Sequence, residues 1–160
     1  MKHNKAEKHE NKTPIVLVVD DNQQNLELLQ AYLEDTDCDT VPAHDGLEAL
    51  EIIGGEAPDL ILLDVMMPKM SGFEVCKRIK NDPQTNSIPI IMITALTEFG
   101  DIERGLDSGT DDFVSKPVNK LELITRVKTM LKLKHLSDKL EWTLAYLREI
   151  EEQTQKEKSD

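Results

Sequence analysis

Short, uninterrupted apolar runs that alternate with amphipathic stretches constrain the fold of this chain more than any other feature. The runs lie at residues 15–19, 60–63 and 88–93, with weaker ones at 40–43 and 113–115. Runs of this length are typical of strands that are buried on both faces of a parallel sheet. The intervening stretches, at about 23–34, 46–53, 72–80 and 98–107, have helical periodicity. The pattern predicts an α/β fold, a three-layer (βα)5 domain with a parallel sheet.

The C-terminal part of the chain has a different pattern. After Pro117 it contains neither glycine nor proline. A seam of seven residues then follows a 3-4 spacing, namely Leu133, Leu136, Leu140, Thr143, Leu147, Ile150 and Thr154. This spacing predicts that the last helix is extended as a coiled coil with a second chain. The alternative is one amphipathic helix folded back on the domain. We therefore expect a flexible N-terminal tail at 1–13, a domain at 14–134 and a helical coiled-coil extension at 135–160.

Acidic residues follow two of the predicted strands directly. Asp20 and Asp21 come after the first strand, and Asp64 after the third. If the strand order is 2-1-3-4-5, these strands are neighbours and their ends form the expected ligand crevice. Carboxylates this close together repel one another and favour a cation, and oxygen ligands suit Mg²⁺. The alternative is that each aspartate only caps the helix that follows it.

Two further polar residues end the fourth and fifth predicted strands. These are Thr94, in IIMITA, and Lys116, in FVSKP. A lysine can neutralise phosphate oxygens and a threonine hydroxyl can donate to one of them. Because aspartate can act as a nucleophile that forms an aspartyl phosphate, the set can hold a phosphoryl group.

At these residues the sequence resembles the response regulator receiver domain, the CheY-like family of two-component signal transduction. The segments that carry the resemblance are VLVVDDNQQN, LILLDVMMPKMSGFE, IIMITA and DDFVSKP. The resemblance implies a flavodoxin-like fold with Asp64 as the phospho-acceptor. It also implies a Mg²⁺ site in which Asp21 and Asp64 bind directly, Asp20 acts through a metal-bound water, and the backbone carbonyl of Met66 is a further ligand.

The resemblance also implies roles for residues of the fourth and fifth strands. Thr94 and Lys116 would contact the phosphoryl oxygens, and the Lys116–Pro117 peptide bond would be cis. Thr94 and Phe113 would form the switch pair that reports phosphorylation. Met66 and Leu96 take positions where the family often has side chains that orient a hydrolytic water. Because both are apolar, we expect slow autodephosphorylation.

The implied function is a phospho-accepting switch in a phosphorelay, not an enzyme apart from its own phosphorylation and slow autodephosphorylation. The partner would be a histidine kinase or a histidine phosphotransfer protein. We expect a homodimer through the face formed by helix four, strand five and helix five, together with the C-terminal helix.

Bulk composition limits the other functions. A formal net charge of −12 argues against direct nucleic-acid binding, which needs clustered Lys and Arg. No apolar run reaches the roughly 20 residues that span a bilayer, and no export signal begins the chain, so we expect cytoplasmic localisation without membrane contact. The two cysteines are expected to be free thiols.

Four alternatives to an active receiver differ in features that can be tested. A haloacid-dehalogenase-like phosphatase needs D-x-D-x-T after the first strand, where this chain has Asp20, Asp21 and Asn22. A flavodoxin would bind flavin phosphate in a first loop that here carries two repelling aspartates. A degenerate receiver would serve as a scaffold, and a helix-driven interaction module could coexist with the switch.

Overall fold

The computed structural model describes residues 12–95 and 99–159, apart from the side chains of 99–101. The strands are β1 (Ile15–Val19), β2 (Asp39–Ala43), β3 (Leu60–Asp64), β4 (Ile90–Thr94) and β5 (Asp112–Ser115). The helices are α1 (Gln23–Leu33), α2 (Gly46–Gly55), α3 (Gly72–Asn81), α4 (Phe99–Ser108) and α5 (Lys120–Ser159). Almost all of the predicted N-terminal tail lies outside the described residues.

The five strands form one parallel sheet in the order β2-β1-β3-β4-β5. The predicted fold class and strand order are therefore confirmed. Strand β4 begins at Ile90, two residues later than predicted, because Ile88 closes a turn by donating its N–H to the Thr85 carbonyl at 3.1 Å. The Pro89 carbonyl then accepts from Ile61 N–H at 3.0 Å and aligns β4 with β3.

Polar side chains fix the starts of the helices. Ser71 accepts the Glu74 N–H at 3.3 Å before α3, and Asn119 accepts the Glu122 N–H at 3.0 Å before α5. Before α1 the cap is Asn22, which accepts the Asn25 N–H at 3.1 Å. Such caps satisfy backbone donors that have no partner inside the helix.

Each face of the sheet has its own apolar core, because successive residues of a strand point to opposite faces. On one face Ile61 and Leu63 of β3 pack with residues of α2 and α3. On the other face Leu60 and Leu62 pack with α1 and the start of α5. The strand that ends at Asp64 is thus buried along its whole length.

Helix α5 extends far beyond the sheet. Leu123 and Val127 are completely buried, whereas every described residue from 135 onward is exposed. We call residues 135–159 the extension; at 1.5 Å per residue it is roughly 37 Å long. The long helix is as predicted, and it does not fold back on the domain. Within the described ranges, no helix has both the length and the apolar character that crossing a membrane requires.

Candidate functional site

The carboxylates of Asp20, Asp21 and Asp64 meet at the edge of the sheet where the strands end, which we call the carboxyl edge. One carboxylate oxygen from each of the three lies within 4.8 Å of the others. The cause is the topology: β1 and β3 are adjacent and parallel, with Val19 paired with Leu63. The sequence placed these residues at strand ends, and the structure brings them together.

Asp20 is buried, with 1% of its surface exposed. Its Oδ1 accepts the Asn22 N–H at 2.9 Å, which orients the carboxylate. Its Oδ2 receives no hydrogen bond from any described residue, and the Lys116 Nζ lies 3.8 Å away. A buried carboxylate oxygen without a donor is costly, so this atom is suited to a positively charged ligand.

Asp64 is 3% exposed and lies between like and unlike charges. Its Oδ1 accepts from Lys116 Nζ at 3.1 Å and, more weakly, from the Met66 N–H at 3.4 Å. Burial raises the pKa of Asp64, the charge of Asp20 raises it further, and the hydrogen bond from Lys116 opposes both effects. Additional positive charge beside this carboxylate would therefore favour its ionised form.

The donor set fits Mg²⁺. Three carboxylates gather at one point, they offer only oxygen ligands, and one of their buried oxygens receives no hydrogen bond from the part of the chain that the structure describes. Mg²⁺ prefers oxygen ligands and is bound through few carboxylates, with water completing the coordination. The alternative was that the aspartates after β1, Asp20 and Asp21, only cap α1. It loses its support because the residue that caps α1 is Asn22.

Thr94 and Lys116 also lie at the carboxyl edge. Thr94 ends β4 and is 5% exposed, and its carbonyl accepts the Lys116 N–H at 2.9 Å. This bond sets the backbone of Lys116 beside β4, so that its side chain reaches Asp64. The Lys116–Pro117 peptide bond is cis.

The structure describes two of the remaining predicted site residues, Met66 and Phe113, but not Leu96. Met66 exposes 67% of its surface, and its N–H faces Asp64, whereas the role of its carbonyl as a metal ligand stays a prediction. Phe113 is half-buried on β5 and packs against the core beneath α2 and α3. Leu96, which was predicted to slow dephosphorylation together with Met66, lies outside the described residues.

Two features of the loop after Asp64 were not predicted from the sequence. A β-carbon on Gly72 would clash with the Asp64 carbonyl, so glycine lets α3 begin close against the acceptor strand. Lys69 has φ of 67°, a left-handed conformation that a lysine adopts at some cost. The motif MPKMSG holds both residues, but only the three-dimensional contact reveals why glycine is needed.

Comparison with known proteins identifies relatives of this chain. The sequence model described as the response regulator receiver domain matches residues 16–128. The response regulator PleD of Caulobacter vibrioides is 45% identical over 125 residues, which are 78% of this chain and 28% of PleD. The DNA-binding response regulator MtrA of Mycolicibacterium smegmatis is 41% identical over 117 residues, 73% of this chain and 50% of MtrA.

Among solved structures, the chemotaxis protein CheY4 of Vibrio cholerae matches with a TM-score of 0.70 and 30% identity. The match covers 74% of this chain and 99% of the CheY4 chain. This chain thus covers nearly all of the CheY4 chain, but half or less of the length of PleD and MtrA.

Proposed function

The chain belongs to the response regulator receiver domain family, and on that premise we propose that Asp64 accepts a phosphoryl group with Mg²⁺ as cofactor. Acceptance of a phosphoryl group on aspartate is the mechanism of this family. The observation that carries the proposal is the shared site of Asp20, Asp21, Asp64 and Lys116 at the carboxyl edge.

The proposed transfer is a displacement at phosphorus by a carboxylate. An Asp64 oxygen forms the new P–O bond while the bond from phosphorus to the donor breaks and its electron pair leaves with the donor. From a phosphohistidine the leaving group is the imidazole; from acetyl phosphate it is acetate. Positioning and charge neutralisation supply the catalysis.

The residues of the site divide this work. Lys116, 3.1 Å from Asp64, shifts its ammonium to the transferred oxygens, and Thr94 donates a hydroxyl hydrogen to one of them. Asp21, Asp64 and the carbonyl of Met66 would hold Mg²⁺, and Asp20 would orient one of its waters. The bound ion supplies charge that offsets the negative oxygens of the phosphoryl group.

The proposed output is a change in the face formed by α4, β5 and α5, which we call the switch face. Thr94 moves towards the phosphoryl group, and Phe113 occupies the space that it leaves. A packed core has discrete arrangements and does not deform continuously. The exchange of positions by Thr94 and Phe113 therefore shifts an equilibrium between two conformations of the switch face.

A histidine kinase or a histidine phosphotransfer protein is the proposed donor, in the cytoplasm. The seam on the extension and the adjoining switch face support a homodimer, because a second copy would cover the exposed leucines of the seam. The expectation that these residues bind no nucleic acid stays a prediction, since MtrA, a relative of about twice the matched length, is named as DNA-binding.

Labelling with acetyl phosphate and Mg²⁺ tests the acceptor. Intact mass should increase by one phosphoryl group in the wild type and in Asp138→Ala, a control on the exposed extension. Asp64→Ala should gain nothing. Equal labelling of Asp64→Ala and wild type would sink the assignment.

Light scattering tests the dimer. Beryllofluoride with Mg²⁺, a stable stand-in for the phosphoryl group, should increase the average molar mass. An unchanged monomer with and without the additive would remove the dimer from the proposal.

A further inference from the structure

The ring of Phe113 lies directly against the backbone of α4. Phe113 is paired with Met92 in the sheet, and both contribute to the core beneath α2 and α3. Phe113 is only half-buried. The position of the Phe113 ring therefore depends on which residue of α4 lies against it.

The residue that α4 presents to the ring is Gly105. A β-carbon built on Gly105 would lie well within 3.0 Å of both Cζ and Cε1 of Phe113, a separation that real β-carbons essentially never show. The contact is with the far end of the ring, and the next atom, the Met92 sulfur, is 3.6 Å away. The missing side chain thus leaves a slot that the far end of the aromatic ring fills.

The slot lies in the part of α4 that is attached to α3. The guanidinium of Arg104 lies 4.6 Å from the centroid of the Phe73 ring. The Ser108 hydroxyl donates to the Gly105 carbonyl at 2.6 Å, and the Cys76 thiol donates to the Ser108 carbonyl at 3.4 Å. These contacts join α4 to α3 at Arg104 and Ser108, on either side of Gly105 in the sequence, and so oppose a shift of its backbone away from the ring.

Glycine carries a cost at such a position. In the interior of a helix it is less favourable than alanine, because it loses more backbone freedom on folding. Its backbone here is ordinary helix, since Gly109 is the glycine for which a positive φ is described. The benefit of Gly105 must therefore come from the space it leaves, not from its conformational range.

We propose that Gly105 is the positioning residue for the switch aromatic: its open slot admits the Phe113 ring and couples movement of that ring to α4. This rests on the proposed function for the role of Phe113 as a switch. With a methyl group in the slot, the ring is forced outward into solvent, and phosphorylation at Asp64 no longer changes the position of α4.

A double-mutant cycle in the unphosphorylated protein tests the slot. Gly54→Ala is the matched control, because nothing lies within 4 Å of a β-carbon there. It should raise the melting temperature by about 2–4 °C through helix propensity. Gly105→Ala should instead lower it in the wild-type background and raise it in Phe113→Leu, since leucine lacks the far end of the ring. Stabilisation by Gly105→Ala in both backgrounds would overturn the proposal.

A spectroscopic signature separates positioning from general stability. The Hα resonances of Gly105 should be shifted by the Phe113 ring, lose that shift in Phe113→Leu, and move when beryllofluoride and Mg²⁺ are added to the wild type. Hα shifts that are the same in all three samples would contradict the coupling.

The consequence for signalling is measured last. Gly105→Ala should take up label from acetyl phosphate as the wild type does, but should lose the mass increase with beryllofluoride. A mass increase equal to that of the wild type would overturn the coupling. Absence of label from wild-type Asp64 would instead overturn the proposed function, while the slot is judged separately by the melting temperatures.

Discussion

The first part of α5, residues 120–134, and the extension have the same secondary structure and opposite environments. In the first part, Leu123 and Val127 are fully buried against the sheet, and the Nη1 of Arg126 donates to both carboxylate oxygens of Asp112, at 2.7 and 2.8 Å. In the extension, Leu140 and Leu147 expose 60% and 50% of their surface. The helix continues across the boundary without a break.

The difference teaches that helix formation and helix burial are separate matters in this chain. A helix satisfies its own backbone hydrogen bonds, so it can continue past the last contact with the domain. Most of the stability of a helix in a protein nevertheless comes from packing of its apolar face. The first part obtains this packing from the sheet, whereas the residues of the extension are exposed and pack on no described part of the domain.

The largest expected effect contrasts two leucines of this helix. Leu123→Ala should reduce the free energy of unfolding by about 2–5 kcal/mol, because it leaves a cavity in a closed core. Leu140→Ala should change it by no more than about 0.5 kcal/mol in the monomer. Urea unfolding at a dilution where light scattering reports a monomer measures both. Equal losses would mean that the extension packs on its own domain.

Removing the extension sharpens the comparison further. A chain that ends after Lys134 should self-associate about 100-fold more weakly with beryllofluoride, or about 2.8 kcal/mol at 1.4 kcal/mol per tenfold. Sedimentation equilibrium measures the association, and labelling of Asp64 should be unchanged. Undiminished association would assign the dimer contact to the switch face alone.

Mg²⁺ should stabilise the carboxyl edge and leave the extension unaffected. At ten times its Kd the ion should increase the free energy of unfolding by about 1.4 kcal/mol, because it binds only the folded state. Thermal melts with and without Mg²⁺ should show this gain in the wild type and in Asp138→Asn. The gain should vanish in Asp21→Asn, and persistence there would place the ion elsewhere.

The smallest expected effect on the free energy of unfolding compares two ion pairs of α5, one made by its first part and one made by the extension. Asp112→Asn, which removes the charge that pairs with Arg126, should cost about 0.5–1 kcal/mol. Asp138→Asn removes the charge that pairs Asp138 of the extension with Lys134, one turn earlier, and should cost about 0.3–0.5 kcal/mol. Chemical unfolding of the two variants under identical conditions gives the difference. A larger loss at position 138 would reverse the comparison.

Patterns within short segments predicted much of this architecture. Apolar runs located β1 and β3 almost to the residue, and the absence of glycine and proline after Pro117 predicted the uninterrupted α5. Strand β2 was indicated only weakly, because it is an edge strand of mixed burial that contains Pro42. Its place in the sheet depends on pairing with β1, which local sequence does not contain.

The site was predictable to the level of residue type and strand end, and no further. Side chains at positions 20, 21 and 64 could be assigned to one edge because parallel strands end together. The unsatisfied Oδ2 of Asp20 and the slot at Gly105 arise from contacts between distant segments, so no periodicity or spacing indicates them. They require the packed structure.

The unbroken course of α5 has a mechanical consequence. A rod without a hinge acts as a lever whose fulcrum is the last buried turn. A tilt of about 5° at the base would displace the tip of a roughly 37 Å arm by about 3 Å. A rearrangement too slight to alter the domain's outline would thus be magnified at the far end, where anything joined to the rod would feel it.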